Sequence, residues 1–160
     1  MSYQCSDCGE IHDELPRYFM CRKPEREDGS VIDVALERKS MCRSDEACFV
    51  LCEVELPLCD ASGPPLGYIC WVNVAAEDYG ALLRFRENEH GIPNPGTIAG
   101  TLANGLRSIP DSFGTRVRFE VVAGDPTPYV KWVAPRSTLA RRLSEGVTAA
   151  FWHSLAAGFR

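Results

Sequence analysis

Cys48-Phe49-Val50-Leu51-Cys52-Glu53-Val54-Glu55-Leu56-Pro57 reads with a period of two. Cys48, Val50, Cys52, Val54 and Leu56 share one face, with Glu53 and Glu55 on the other, the pattern of a half-buried strand. Pro57 ends it, and Asp60-Ala61-Ser62-Gly63-Pro64-Pro65 is turn chemistry. Leu66 to Val74 resumes as a strand with both faces largely apolar, Tyr68, Cys70 and Val72 against Ile69 and Trp71. A strand of that kind is central and covered on both sides. A short connection between two such strands predicts an antiparallel hairpin.

Beyond the hairpin, residues 75–87 change to helical spacing. Ala75, Tyr79, Leu82 and Leu83 fall on one side, and Glu77, Asp78 and Arg84 on the other. Acids open the segment and arginines close it, which suits a helix dipole. Gly91-Ile92-Pro93-Asn94-Pro95-Gly96 breaks it, and Ile98 to Leu106 fits a helix or a strand equally well. From Arg116 to Ala123, Val117, Phe119, Val121 and Ala123 alternate with Arg116, Arg118 and Glu120. Gly124-Asp125-Pro126-Thr127-Pro128 turns that strand into Tyr129 to Ala134, a second hairpin. Two short helices follow within 136–158, divided at Glu145-Gly146. The second has Thr148 as N-cap and the Val147 and Trp152 spacing of a hydrophobic staple. Toward the N-terminus, 31–42 shows no period and 22–30 is a charged loop with Pro24 and Gly29.

The chain opens with a different signal, Tyr3-Gln4-Cys5-Ser6-Asp7-Cys8-Gly9-Glu10-Ile11-His12. Two cysteines three positions apart and a following glycine form a metal knuckle, whose turn brings both thiolates to one side. A closed tetrahedral zinc site needs four ligands, so His12, Cys42 and Cys21 compete, in that order, for the two remaining places. A redox CxxC belongs beside a βαβ unit, and none is readable. Cys48, Cys52 and Cys70 read as small buried hydrophobes, and Cys59 as an exposed thiol. Glu87, Glu89 and His90 read as solvated loop charge, His153 as structural, and Glu53 with Glu55 as an exposed sheet face.

Net charge is −5 and unevenly placed. Residues 1–60 carry 14 acids and 7 bases, and residues 61–160 carry 8 acids and 10 bases. An acidic front half disfavours nucleic acid, whose phosphates need a basic face. No apolar run reaches the roughly 18–20 residues of a membrane span, and no charged and apolar leader opens the chain, so a cytosolic protein is expected. In that compartment eight cysteines are ligands and buried thiols rather than disulfides.

The stretch from Tyr3 through Pro16 resembles the opening of the uncharacterised bacterial proteins grouped as domain of unknown function 2199. Phe49-Val50 through Glu55-Leu56-Pro57 is similar to that family's acidic strand ending in proline. Trp71-Val72-Asn73-Val74 running into an acidic helix, and Gly100-Thr101-Leu102-Ala103-Asn104 with Pro110-Asp111-Ser112 and Thr115-Arg116-Val117, agree with later blocks. The resemblance spans nearly the whole chain and implies a fold but no activity. It also implies that Cys5, Cys8, His12 and Cys42 are the ligand positions, and Cys21 is not.

The expectation is one α+β domain over residues 1–160. Residues 1–21 form the metal knuckle, 47–134 the sheet core with one helix, and 136–158 the C-terminal helices. The sheet is antiparallel, of about four to five strands, flanked by helices, with the zinc knuckle at its N-terminal edge. The expected function is a non-enzymatic, protein-binding module with a structural zinc. The alternatives are an immunity- or inhibitor-type protein that neutralises a toxin, and a zinc-dependent hydrolase.

Overall fold

The computed structural model describes residues 3–4, 9–12, 16–60 and 64–157. In chain order the elements are β1 (Tyr3–Gln4), β2 (Ile11–His12), β3 (Tyr18–Met20), β4 (Ala35–Arg38), β5 (Met41–Arg43), β6 (Cys48–Leu56) and β7 (Leu66–Val74). There follow α1 (Ala76–Glu87), β8 (Thr97–Leu102), β9 (Arg116–Glu120), β10 (Tyr129–Val133), α2 (Thr138–Glu145) and α3 (Ala149–Ala157).

The hairpin expected from period two is the spine of the molecule. β6 and β7 pair antiparallel along their whole length, from Cys48 opposite Val74 to Leu56 opposite Leu66. Each spans about 30 Å at roughly 3.3 Å per residue, longer than any neighbour, so each outer edge is shared by two shorter strands. β6 pairs with β5 over Cys48–Val50, then passes to β10 at Glu53. β7 pairs with β3 over Gly67–Ile69, then passes to β8 over Val72–Val74.

From β7 the sheet runs antiparallel through β8, β9 and β10. It then returns on itself, because Tyr129 of β10 pairs in parallel with Glu53 of β6, and the Glu53 amide donates to the Pro128 carbonyl at 2.9 Å. The result is a closed five-stranded barrel, β6-β7-β8-β9-β10, with β3, β4 and β5 as extensions. This corrects the expected antiparallel sheet flanked by helices. Alternation reports which side chains point inward, and it is identical for an open sheet and a closed one. Closure rests on one parallel pairing between distant segments, which no local period encodes. The three helices among the described residues are short and cap the barrel rather than forming a layer.

The barrel interior is the main core. Val50, Cys52, Val54 and Leu56 of β6 meet Tyr68, Cys70, Val72, Leu102, Val117 and Phe119 there, all at most 1 % exposed. Val117, Phe119 and Val121 are buried while Arg116 and Arg118 are exposed, as period two requires. Residues 98–106, ambiguous in sequence, form β8 up to Leu102 and then an irregular segment bent at Asn104. A second core lies on the other face of β6 and β7, where Phe49, Leu51 and Trp71 pack with Cys42 and Ala103 beneath the segment carrying Ile32 and Val34. Asn104, fully buried, pins that segment: its Oδ1 accepts from the Trp71 amide at 2.8 Å and its Nδ2 donates to the Lys23 carbonyl at 2.8 Å. β7 is therefore covered on both faces, as its composition requires.

α1 buries Tyr79, Leu82 and Phe85 against one end of the barrel. At the other end Ser137 caps α2 and Thr148 caps α3, each side-chain oxygen accepting an amide three residues on at 3.0 Å. Gly146 between them has φ +78, and a Cβ there would lie 2.6 Å from the Pro57 carbonyl oxygen, which the Val147 amide needs as acceptor. Trp152 of α3 is wholly buried, packs at a tilt with its ring 4.8 Å from that of Phe19, and donates its indole N–H to the Pro16 carbonyl. None of the helices among the described residues is long and apolar enough to cross a membrane.

Candidate functional site

The N-terminal ribbon carries the metal reading. β1 and β2 pair antiparallel, Tyr3 with His12 and Gln4 with Ile11, and β1 lies against α3. Cys5 and Cys8 stand in the connection between these strands and lie outside the described residues, as does the His12 side chain. The pairing nevertheless fits a shared site, because it holds the His12 backbone one strand spacing from the residue two before Cys5. Gly9, next after Cys8, has φ +75, the left-handed backbone a tight turn demands. Thiolate and imidazole together suit zinc.

The other cysteines are placed in detail. Cys42 sits on β5 opposite Phe49, with no exposed surface, inside the second core. Burial pushes its thiol up to about 12. Cys42 is thus at the far end of β6 from α3 and on the opposite face of the hairpin. Cys21 is half-buried beside Glu25 and Arg107, and burial, then the Glu25 charge, push it up to about 12 as well. Cys52 and Cys70 face each other across the β6–β7 ladder, both wholly buried, with thiols raised well above the ordinary range by desolvation. Cys59 is exposed. Among the described residues no three His, Cys, Asp or Glu side chains gather as a metal-holding group.

Glu89, beside His90, has a structural task. It takes a 2.8 Å ion pair from the nearly buried Arg86 and accepts the Gly124 amide at 2.8 Å, and these bonds lower its carboxyl below the usual range. His90 and Glu87 are exposed.

A polar site does assemble on the outside of the barrel, around the two carboxylates of β6. Strand registers set two rows there. One runs Tyr18, Gly67, Glu55 across β3, β7 and β6; the next runs Met20, Ile69, Glu53, Tyr129 and continues onto β10. Residues two apart on a strand share a face, so the rows stand side by side. Gly67 leaves its place in the first row empty: a Cβ there would run into the Val54 carbonyl. Across that gap the Tyr18 hydroxyl donates to Glu55 Oε1 at 3.1 Å. Burial first, then Glu53 and Glu55, push the Tyr18 phenol upward, and the Glu53 charge chiefly raises Tyr129. Arg17 approaches Glu55 at 3.8 Å and lies 5.1 Å over the Tyr18 ring, and Lys131 lies 5.4 Å over the Tyr129 ring. Among the described residues no cation pairs with Glu53. Both carboxylates are half-buried; Arg17 offsets Glu55, so the uncompensated negative charge of the face is Glu53, framed by phenols.

The carboxylates were legible as one strand face. Tyr18 and Tyr129 were not, since they come from β3 and β10, and only the parallel pairings of those strands bring them alongside.

A bacterial family described as an uncharacterized protein conserved in bacteria, domain of unknown function 2199, matches residues 4–147. The chain belongs to this family. Its region contains Cys5 and Cys8, both carboxylates and the whole barrel, and stops just before α3. No curated protein and no solved structure matches the chain.

Proposed function

We propose that this member of the family is a non-enzymatic binding module that receives a basic segment of a protein partner on the Glu53–Glu55 face, with a structural zinc closing its N-terminal ribbon. The observation that carries the reading is the register that sets two half-buried carboxylates between Tyr18 and Tyr129 on a rigid barrel. Tyrosines supply large amphipathic contact at low entropic cost, and the Glu53 carboxylate, without an ion pair among the described residues, selects and steers a basic partner. Cys5, Cys8 and His12 are the zinc ligands, with Cys42, by its burial in the second core, the least suited of the fourth-ligand candidates. Bound there, the ion supplies cross-linking energy to a short polar segment that has few apolar contacts of its own. The inhibitor-type alternative uses the same face, with a basic toxin as the partner, and the acidic front half favours it.

Affinity capture with wild-type protein and a Glu53→Lys/Glu55→Lys variant, in parallel at low and high salt, tests the reading. A basic protein retained by the wild type, and lost both on charge reversal and at high salt, is the expected result. A partner held equally by both baits would overturn it.

A further inference from the structure

The barrel closes through β10, but the β5 extension ends in an open strand, β4, which stands last in the sheet order. All four β4 residues are exposed, and Leu36 shows 68 % of its surface. Leu36 stands opposite Cys42 of β5, which is wholly buried in the second core, so it is the outer margin of that core left in water. The backbone beside it is open too. The Ser40 carbonyl accepts from the Leu51 amide and the Ser44 amide donates to the Ala47 carbonyl, so by alternation Ser40, Cys42 and Ser44 face β6 while Met41 and Arg43 face β4. Ala35, opposite Arg43, therefore turns its amide and carbonyl inward to β5. Val34 and Leu36 turn theirs to the open side, where no backbone group among the described residues meets them.

Edges are commonly guarded by bulges and charges, and here both stand just beyond this stretch: the register shifts at Glu37, and Arg38 and Lys39 follow. Val34, Ala35 and Leu36 themselves carry no guard. We propose that this edge pairs with the same edge of a second copy of the chain, antiparallel about a two-fold axis at Ala35. Val34 of each copy then lies opposite Leu36 of the other, exchanging backbone bonds and covering the exposed leucine, and the bulge ends the pairing on both sides. The flanking charges fit this occupant. Asp33 comes opposite Glu37 of the second copy, which its own Arg43 neutralises at 2.6 Å, and beside Arg38, which lines the same cleft as Glu37. Neither Asp33 nor Arg38 has an ion pair among the described residues. An acid before the strand and a base at its end become complementary when the strand runs antiparallel to itself. So short a pairing buries less than the roughly 1,200–2,000 Å² of a stable interface, so the dimer is weak and concentration-dependent. It uses neither the zinc ribbon nor the Glu53 face.

Sedimentation of the full chain from about 10 µM to about 1 mM, with amide chemical shifts followed over the same range, tests it. The average mass should climb toward that of a dimer, and the shifts should concentrate in 33–38. Leu36→Lys, at an exposed position that leaves the fold intact, should abolish association. Asp33→Arg and Arg38→Asp should each weaken it by about fivefold, and the two together should restore it, a rescue that a general change in surface charge does not give. A chain that stays monomeric at the highest concentration, a dimer indifferent to Leu36→Lys, shifts confined to other segments, or a double variant no better than either single one would each overturn the proposal. So would a different protein captured on this edge by a chain that stays monomeric.

Discussion

Single side chains hold the parts of this molecule that no ladder holds. Asn104 spends both ends of its amide on backbone, joining β7 to the segment before β4. Asn104→Ala leaves the buried Trp71 amide without an acceptor, a loss of about 1–3 kcal/mol, which denaturant titration would read as a lower midpoint at unchanged slope. The buried thiols make a second prediction. Cys21 and Cys42 keep their protons up to about 12, whereas in the unfolded chain they release them near 9. Above 9 the unfolded state binds fewer protons, so stability is full below 9 and declines as pH rises toward 12. Thermal midpoints that stay level between pH 8.5 and 11 would contradict this, though the raised phenols of Tyr18 and Tyr129 add loss of the same sign above their ordinary 10. Thiol labelling of the folded protein should modify Cys59 rapidly and spare Cys52 and Cys70 until unfolding.

At the scale of elements, β6, β7, α1, the β9–β10 hairpin and the two C-terminal helices were readable, because each carries its own period and stop signal. Cys48 through Leu56 could not be mistaken for a helix, and Gly146 with Thr148 marked where one helix ends and the next begins. β3, β4 and β5 were hidden: at three or four residues they are too short to show a period. β8 was ambiguous because Gly100 interrupts its apolar face, and the structure shows why glycine stands there: a Cβ would crowd the Asn73 carbonyl of β7. The ribbon of β1 and β2 is the element whose stability the zinc reading addresses. Ordering its backbone costs about 1–2 kcal/mol per residue, against a metal contribution on the order of 10 kcal/mol in small structural sites. Cys5→Ser or Cys8→Ser should therefore abolish zinc in elemental analysis and lower the melting temperature, while Cys59→Ser leaves both unchanged. Wild-type protein grown in zinc-supplemented medium that contains no zinc would sink the reading.

For the whole molecule, the decisive feature is one that periodicity cannot carry. Alternation marks Val50, Cys52, Val54 and Leu56 as inward-facing, yet the same residues serve a flat sheet and a barrel; what separates the two is where β10 ends. By returning to β6 at Glu53, β10 removes a sheet edge that would otherwise invite another chain, and the same pairing delivers Tyr129 to the carboxylate face. Barrel closure and the proposed binding face are thus one structural event. Hydrogen exchange at the Glu53 amide measures it directly. Donating to Pro128 at 2.9 Å inside a closed ladder, that amide should be protected as strongly as Val54 and Leu56 beside it, exchanging only on global unfolding. Exchange at the rate of an unstructured peptide would mean an open barrel, with Tyr129 no longer held beside Glu53.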